Sequence, residues 1–268
     1  MGLEQDQKGE KEAMIVKLKE PERAAPLFGG WEETIPWSCL QGVMGAVYAD
    51  REEKPGSAAA VLGDFHFFAG RPSAELASFL PERRPYLLLI PQSEGWSRMI
   101  EGAYGARCRR ITRYALKKEA GGFDRRGLER AAAALPPGYA MEEIGPSLYR
   151  ACAGMEWSRD LVSQFPDYET YRRLGLGVAA VRGGEPVSGA SSYSRYRGGI
   201  EVEIDTRPDH RRRGLARACG AALILTCLDR GLYPSWDAHN PESLSLAQSL
   251  GYRFDRSYTA YEVLPDPE

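Results

Sequence analysis

Residues 200–216 read Ile200-Glu201-Val202-Glu203-Ile204-Asp205-Thr206-Arg207-Pro208-Asp209-His210-Arg211-Arg212-Arg213-Gly214-Leu215-Ala216, and their pattern decides the fold. The first seven alternate strictly. Ile200, Val202 and Ile204 share one side while Glu201, Glu203 and Asp205 share the other, the period of a half-buried strand. Beyond Gly214 the apolar positions Leu215, Ala218, Cys219, Ala222, Leu223, Leu225 and Leu228 predict a helix to about Arg230, ended by Gly231. It is apolar over most of its circumference, as expected of a helix wedged between a sheet and other elements. The order is therefore strand, glycine-bearing loop, helix. Gly214 and the small Ala216 leave backbone amides unobstructed, and the helix adds unpaired N–H groups and the positive end of its dipole. An anionic diphosphate is the expected guest, with Arg211, Arg212 and Arg213 adding formal charge. The usual nucleotide-triphosphate and dinucleotide glycine motifs are absent from the sequence.

Working outward, Tyr139–Ile144, Val178–Arg182 and Val187–Ser194 read as strands before this stretch, with helices at Ser147–Ala153 and Tyr168–Leu174. After it come a strand at Tyr233–Asp237, a helix at Ser243–Leu250, and Tyr252–Phe254 with Ser257–Val263 as a terminal antiparallel pair. Residues 21–119 repeat a strand–helix rhythm, with strands at 43–49, 58–62, 65–68, 86–90 and 109–116 and helices at 73–79 and 94–104. The expected organisation is a loose leader over 1–20, an α/β domain over 21–119, a connector helix and linker over 120–137, and a second domain over 138–268.

Composition narrows the function. With 268 residues and a formal charge of −2, the chain lacks the basic excess of an obligate nucleic-acid binder. The arginines of residues 207–217 carry no interleaved aromatics, which weakens an RNA-binding reading further. Five cysteines without Cys-x-x-Cys predict no disulfide framework, and three histidines show no metal-ligand spacing. Cys219 and Cys227, within the apolar helix, are expected in the core. The longest apolar run, Ala218 to Leu228, is too short to span a bilayer, and the first twenty residues lack a secretory apolar run. A cytoplasmic protein without metal, nucleic-acid or membrane partners is expected, as monomer or homodimer.

Arg211-x-x-Gly214-x-Ala216, with a hydrophobic strand and Pro208 before it, resembles the acetyl-CoA signature of the GNAT N-acetyltransferase superfamily. Asn240, followed by Ser243, Leu246 and Gly251-Tyr252, resembles the superfamily's later motif of Asn, helix and Gly-aromatic. Ser188–Ser192 and Tyr233–Asn240 are similar to a bacterial group that includes zwittermicin-type self-resistance acetyltransferases. The resemblance implies an α/β, mixed-sheet acyl-CoA N-acyltransferase fold at the C-terminal end. The smaller N-terminal domain is then either a degenerate half of the same fold or an unrelated α/β unit. Acetyl-CoA would lie where the strands Ile200–Thr206 and Tyr233–Asp237 splay apart. Backbone groups of Ile204 and Thr206 would pair with the pantetheine arm. The amides of Arg212, Arg213, Gly214, Leu215 and Ala216 would hold the pyrophosphate, with Arg211, Asn240 and Ser243 completing the cofactor contacts.

Acetyl transfer to an amine needs a proton acceptor, and the clustered carboxylates of the strand suit a raised pKa. Glu203 is the first candidate, Glu201 the second and Asp205 a distant third; a plain solvated strand face is the alternative. Aligning Asn240 and Gly251 places Ala247 where many superfamily members carry a tyrosine acid, so Tyr252, Tyr258, Tyr261 or His239 would substitute, and Tyr258 is taken as the candidate. Trp157, Gln164, Phe165 and Ser192 are candidates for the acceptor side, on a small-molecule amine. The competing reading is a non-catalytic acyl-CoA-binding or sensing protein, motivated by Ala247.

Overall fold

The computed structural model describes residues 15–82, 86–119 and 121–264. Its first half runs β1 (Val16–Lys17), a 3-10 segment at Pro21–Phe28, α1 (Thr34–Leu40), β2 (Ala46–Ala49), β3 (Ser57–Leu62), β4 (Phe65–Gly70), α2 (Ala74–Ser78), β5 (Leu87–Pro91), α3 (Glu94–Tyr104) and β6 (Cys108–Leu116). After α4 (Arg125–Ala132) come β7 (Ala140–Glu143), α5 (Pro146–Ala153), a 3-10 segment at Glu156–Leu161, α6 (Tyr168–Leu174), β8 (Gly177–Arg182), β9 (Glu185–Tyr196) and β10 (Gly199–Thr206). The chain closes with α7 (Leu215–Asp229), β11 (Tyr233–Ser235), β12 (Asp237–Ala238), α8 (Pro241–Ser249) and β13 (Phe254–Val263).

Two mixed sheets result: an eight-stranded one ordered β1-β2-β3-β4-β5-β13-β6-β12 and a five-stranded one ordered β11-β10-β9-β8-β7. The halves repeat one topology. In the first, β2, β3 and β4 are antiparallel and β4 pairs in parallel with β5. In the second, β8, β9 and β10 are antiparallel and β10 pairs in parallel with β11. The last strands are exchanged: β13 of the second half lies between β5 and β6, while β6 of the first pairs with β12.

This exchange corrects three expectations. The terminal segment is one continuous strand, not a self-contained antiparallel pair, because its partners lie in the first half. A boundary at residue 138 consequently cuts through a shared sheet. The connector is no spacer either, since Leu128 and Ala131 of α4 are buried in the core around α7. Within the expected leader, residues 1–14 lie outside the described residues. Val16 and Lys17 pair with β2, and Leu18 is buried.

The apolar circumference of α7 is used on all sides. Leu215, Cys219, Leu223 and Cys227 belong to a core with Val178, Ala190 and Ile200 of the sheet, Leu128 of α4 and Ala247 of α8. Burial pushes the Cys219 thiol up to about 11 and the Cys227 thiol up to about 12, so both are packing residues. The short α1, with Pro36 inside it and no side-chain cap, has no sequence signature, yet it ties the halves together. Its Ser38 hydroxyl donates to the Arg195 carbonyl at 2.6 Å. No helix among the described residues is long and apolar enough to cross a membrane.

Candidate active site

β10 and β11 pair at only three positions, Gly199–Tyr233, Ile200–Pro234 and Glu201–Ser235. Beyond them β10 runs on to Thr206, while the other chain passes Trp236 and turns away to join β6 as β12. Opposite this fork, β9 carries one extra residue, Tyr193, between the partners of Glu201 and Val202. The fork opens a cleft of ≈ 670 Å³ whose walls include Glu203, Asp205, Gly214, His239, Asn240 and Leu246 from the second half. Asp64, Phe65, Tyr86 and Arg113 of the first half close it. The Arg207 N–H donates to Val187 on β9. By the two-residue alternation, Ile204 and Thr206 therefore turn their backbone groups to the other, open edge.

At one end the loop before α7 forms a cradle. Arg212 at φ 59° and Gly214 at φ 80° both lie in the left-handed region. A Cβ on Gly214 would meet nothing within 4 Å, so its need for glycine is conformational, and the space above it is open. Among the described residues no well-aligned backbone acceptor takes the N–H groups of residues 214–217, and α7 has no side-chain N-cap. Unbonded N–H groups at the start of a fifteen-residue helix suit an anion. Arg211 and Arg212 line the cleft beside it, with Arg211 also donating to the Thr206 carbonyl at 3.3 Å. Arg213 does not line the cleft; it donates to the Asp209 carbonyl at 3.2 Å and braces the loop. His210, largely buried at the cleft wall, anchors the loop between Arg207 and the Tyr139 hydroxyl. Asn240 caps α8, accepting the Ser243 N–H at 2.8 Å, and Ser243 accepts from the Trp236 indole at 3.2 Å. Both also line the cleft.

The strand carboxylates separate into distinct roles. Glu201 is held at both oxygens: one accepts the Asp237 N–H at 2.7 Å, the other the Thr34 hydroxyl. It latches the fork. Burial, then the Asp237 charge, push it up to about 7 against the Thr34 hydrogen bond. Glu203 makes no side-chain bond to a cation and faces both the cleft and a smaller chamber behind it. Burial, then Asp205 and Asp160, hold it well above the usual carboxylate range, opposed by Arg113. Asp205 is pushed up to about 6 by burial and Asp160. Tyr258 lines the chamber and not the cleft; its hydroxyl donates to Asp237 at 2.7 Å, and burial and Asp237 raise its pKa well above normal.

The four acceptor candidates are not brought together. Phe165 is buried in a core with Tyr149 and Tyr171, and Ser192 is buried with its hydroxyl accepting the Leu176 N–H. Both are buried in packed interior, away from the acceptor side for which they were candidates. Trp157 lies off the cleft with its indole N–H buried, and Gln164 lines a separate surface pocket beside Gly63. From the same segment it is Asp160 that reaches the cleft. Ala247 is buried in the core, so α8 presents Ser243 and Leu246 instead.

Sequence reasoning missed Glu33, Thr34, Arg113 and Asp237. Arg113 is buried, donates to Asp237 Oδ1 at 2.7 Å, and lies 3.1 Å from His239 Nδ1. An arginine only donates, so Nδ1 accepts and the neutral ring carries its proton on Nε2. Only the exchange of β6 and β13 places Arg113 here; no local pattern signals it.

A cleft at splayed parallel strands, an amide cradle at one end and buried carboxylates along the strand define an acyl-transfer architecture. The chain belongs to the GNAT acetyltransferase family, whose match spans residues 25–261. It is 25% identical over 245 residues to the uncharacterized N-acetyltransferase YdfB of Bacillus subtilis, covering 85% of this chain and 89% of that protein. Among solved structures, a GCN5-related N-acetyltransferase-like protein from Streptococcus suis is 48% identical, with a TM-score of 0.87, over 91% of this chain and 98% of that one. A tandem GNAT protein from the clavulanic acid biosynthesis pathway shares the fold at 12% identity, with a TM-score of 0.52 over 95% and 99% of the two chains.

Proposed function

We propose that this protein moves an acetyl group from acetyl-CoA to the amine of a small-molecule acceptor, by direct attack in a ternary complex. One observation carries this reading: a single strand leads from Glu203, which among the described residues has no cation hydrogen-bonded to it and only Arg113 acting on it at a distance, to the amide cradle before α7. The residues present fit acetyl-CoA. The unbonded N–H groups of residues 214–217 and the Arg211 and Arg212 side chains suit its pyrophosphate, and the open edge at Ile204 and Thr206 suits the amides of its arm. Bound there, it supplies an activated thioester carbonyl. The chain's own part is proton transfer and placement. An aliphatic amine is an ammonium near neutral pH. Glu203, raised by burial and its acidic neighbours, accepts that proton and frees the nitrogen lone pair. Arg113 and Asp237 fix the wall around it. Tyr258 is a poor acid here, because its proton is engaged by Asp237. His239 lines the cleft, but its ring is neutral and its Nε2 lies 3.7 Å from Glu262 Oε1. The second proton of the attacking nitrogen therefore passes to the leaving thiolate as the intermediate collapses, with no dedicated protein acid. The sequence resemblance of Ser188–Ser192 and Tyr233–Asn240 to zwittermicin-type self-resistance acetyltransferases is the basis for taking the acceptor as a small molecule, and a cytoplasmic monomer or homodimer is part of the same proposal.

The test is a pH–rate profile. Glu203→Gln should lower kcat/KM by ~10²–10⁴ and remove the acidic limb, with acetyl-CoA affinity little changed. Wild-type turnover with an unaltered profile would return the strand carboxylates to a solvated face.

A further inference from the structure

Behind Glu203 the cleft continues into a chamber of ≈ 50 Å³, and the two share Phe65, Arg113, Tyr193, Val202, Glu203 and Asp237 as common walls. The far end belongs to the first half, through Glu33 and Thr34. The charge inventory there is unbalanced. Arg113 answers Asp237, and Arg256 answers one oxygen of Glu33. Among the described residues Glu201 is hydrogen-bonded only by neutral donors, with Lys118 acting on it and on Glu33 without a bond, and Glu203 feels Arg113 at a distance with no cation bonded to it, so four carboxylates face three cations. Glu33 is 6% exposed, yet among the described residues its Oε2 is buried with no hydrogen-bond donor from another residue. A buried carboxylate oxygen left unbonded is costly unless a guest completes it. Phe65, Phe67, Tyr193 and Tyr258, with Ile35 and Val202, form the rest of the wall; Arg113 already covers Phe65 at 5.0 Å, and the remaining aromatic rings with the carboxylates favour a cation over an anion.

We propose that the chamber binds a second ammonium group of the acceptor, with Glu33 Oε2 as its specificity-determining partner, so that the preferred acceptors are short aliphatic diamines. Size supports the same class. At ~10–15 Å³ per water-sized group, the chamber takes roughly four non-hydrogen atoms, the length of an aminopropyl end. One nitrogen of such a diamine then stands at Glu203, while the other, still protonated, lies deeper. Burial raises the Glu33 carboxyl from its ordinary value against the pull of Arg256, and an ammonium beside Oε2 offsets that penalty. The nitrogen at Glu203 is acetylated only if the acetyltransferase reading above holds; the binding of the distal ammonium does not depend on it.

Two measurements separate these layers. The first compares kcat/KM for 1,3-diaminopropane and propylamine with acetyl-CoA as donor. The diamine should be preferred at least tenfold, mostly through KM, and Glu33→Gln should cut that ratio to within about threefold of unity. The second titrates the same two amines calorimetrically into the CoA-bound protein, where the diamine should bind at least tenfold tighter and lose that advantage in Glu33→Gln. Equal turnover and equal binding of the two amines overturn the chamber proposal and leave the acetyltransferase reading intact. Glu33-dependent binding of the diamine without turnover keeps the chamber and contradicts the activity. A preference that survives in a folded Glu33→Gln variant removes Glu33 from the role and overturns the assignment.

Discussion

Glu201 and Glu203 stand two positions apart on one strand face, yet the protein uses their carboxyl groups differently. Glu201 spans the fork, and its charge is disfavoured by burial, which raises it from 4.5 to about 7. A carboxyl raised on folding contributes stability that is complete below its unfolded pKa and is lost as pH climbs through its folded one. Glu201→Gln should therefore melt a few degrees above the wild type at pH 8, where the buried charge is the liability, and close to it at pH 5. Thermal unfolding at the two pH values checks this; a variant less stable at pH 8 than at pH 5 relative to wild type contradicts the latch's charge penalty. The alternation of residues 200–206 made the shared face readable from sequence, because period two needs no tertiary information. The division of labour was not readable. It comes from Thr34 and the Asp237 N–H, which lie 167 and 36 residues away along the chain.

Among elements, the loop and α7 were legible because glycine, proline and apolar periodicity are local signals, and the helix starts at Leu215 as the pattern requires. The first half carries the contrasting case. There α2 has five residues, and the parallel pair β4–β5 continues from Phe65–Leu88 to Phe68–Pro91 with no splay, so no second cradle forms. Its counterpart of the loop is closed by the Trp96 indole, which donates to the Gly70 carbonyl at 3.0 Å. Gly214→Glu should abolish acetyl-CoA binding. It forces φ 80° on an L side chain, at a cost of about 1–2 kcal/mol, and sets a carboxylate over the amides that an anion must reach. Calorimetric titration with acetyl-CoA reads the effect, with circular dichroism to confirm folding. Unchanged affinity in a folded variant would remove the loop from the cofactor site. Short α1 lay beyond reach of sequence reading, since seven residues with an internal proline and no cap carry no periodic signal.

At the scale of the whole molecule, the exchange of β6 and β13 makes the two halves one cooperative unit. Tyr261 and Ala260 of β13 are buried within the first half's sheet and its cores, and Arg113 of β6 is buried against Asp237 of the second half. A fragment of residues 138–268 would leave β13 with neither neighbour. It should show no cooperative thermal transition, whereas the full chain shows one; a cooperative, acetyl-CoA-binding fragment would contradict the shared sheet. The halves were visible in sequence as a repeated strand–helix rhythm, but strand exchange was not, because pairing partners 150 residues apart leave no local trace. The cleft exists only in the assembled chain, with cradle and carboxylates from the second half and Asp64, Phe65, Tyr86 and Arg113 from the first. Acetyl transfer is therefore a test of the intact protein, read most directly as release of CoA thiol from acetyl-CoA by the full chain, against a panel of small amines, with the acetylated amine quantified by mass spectrometry. An acetyltransferase should give amine-dependent release with one acetylated amine formed per thiol. Tight acetyl-CoA binding with no amine-dependent release for any acceptor would contradict it and leave a protein that binds acyl-CoA without acting on it.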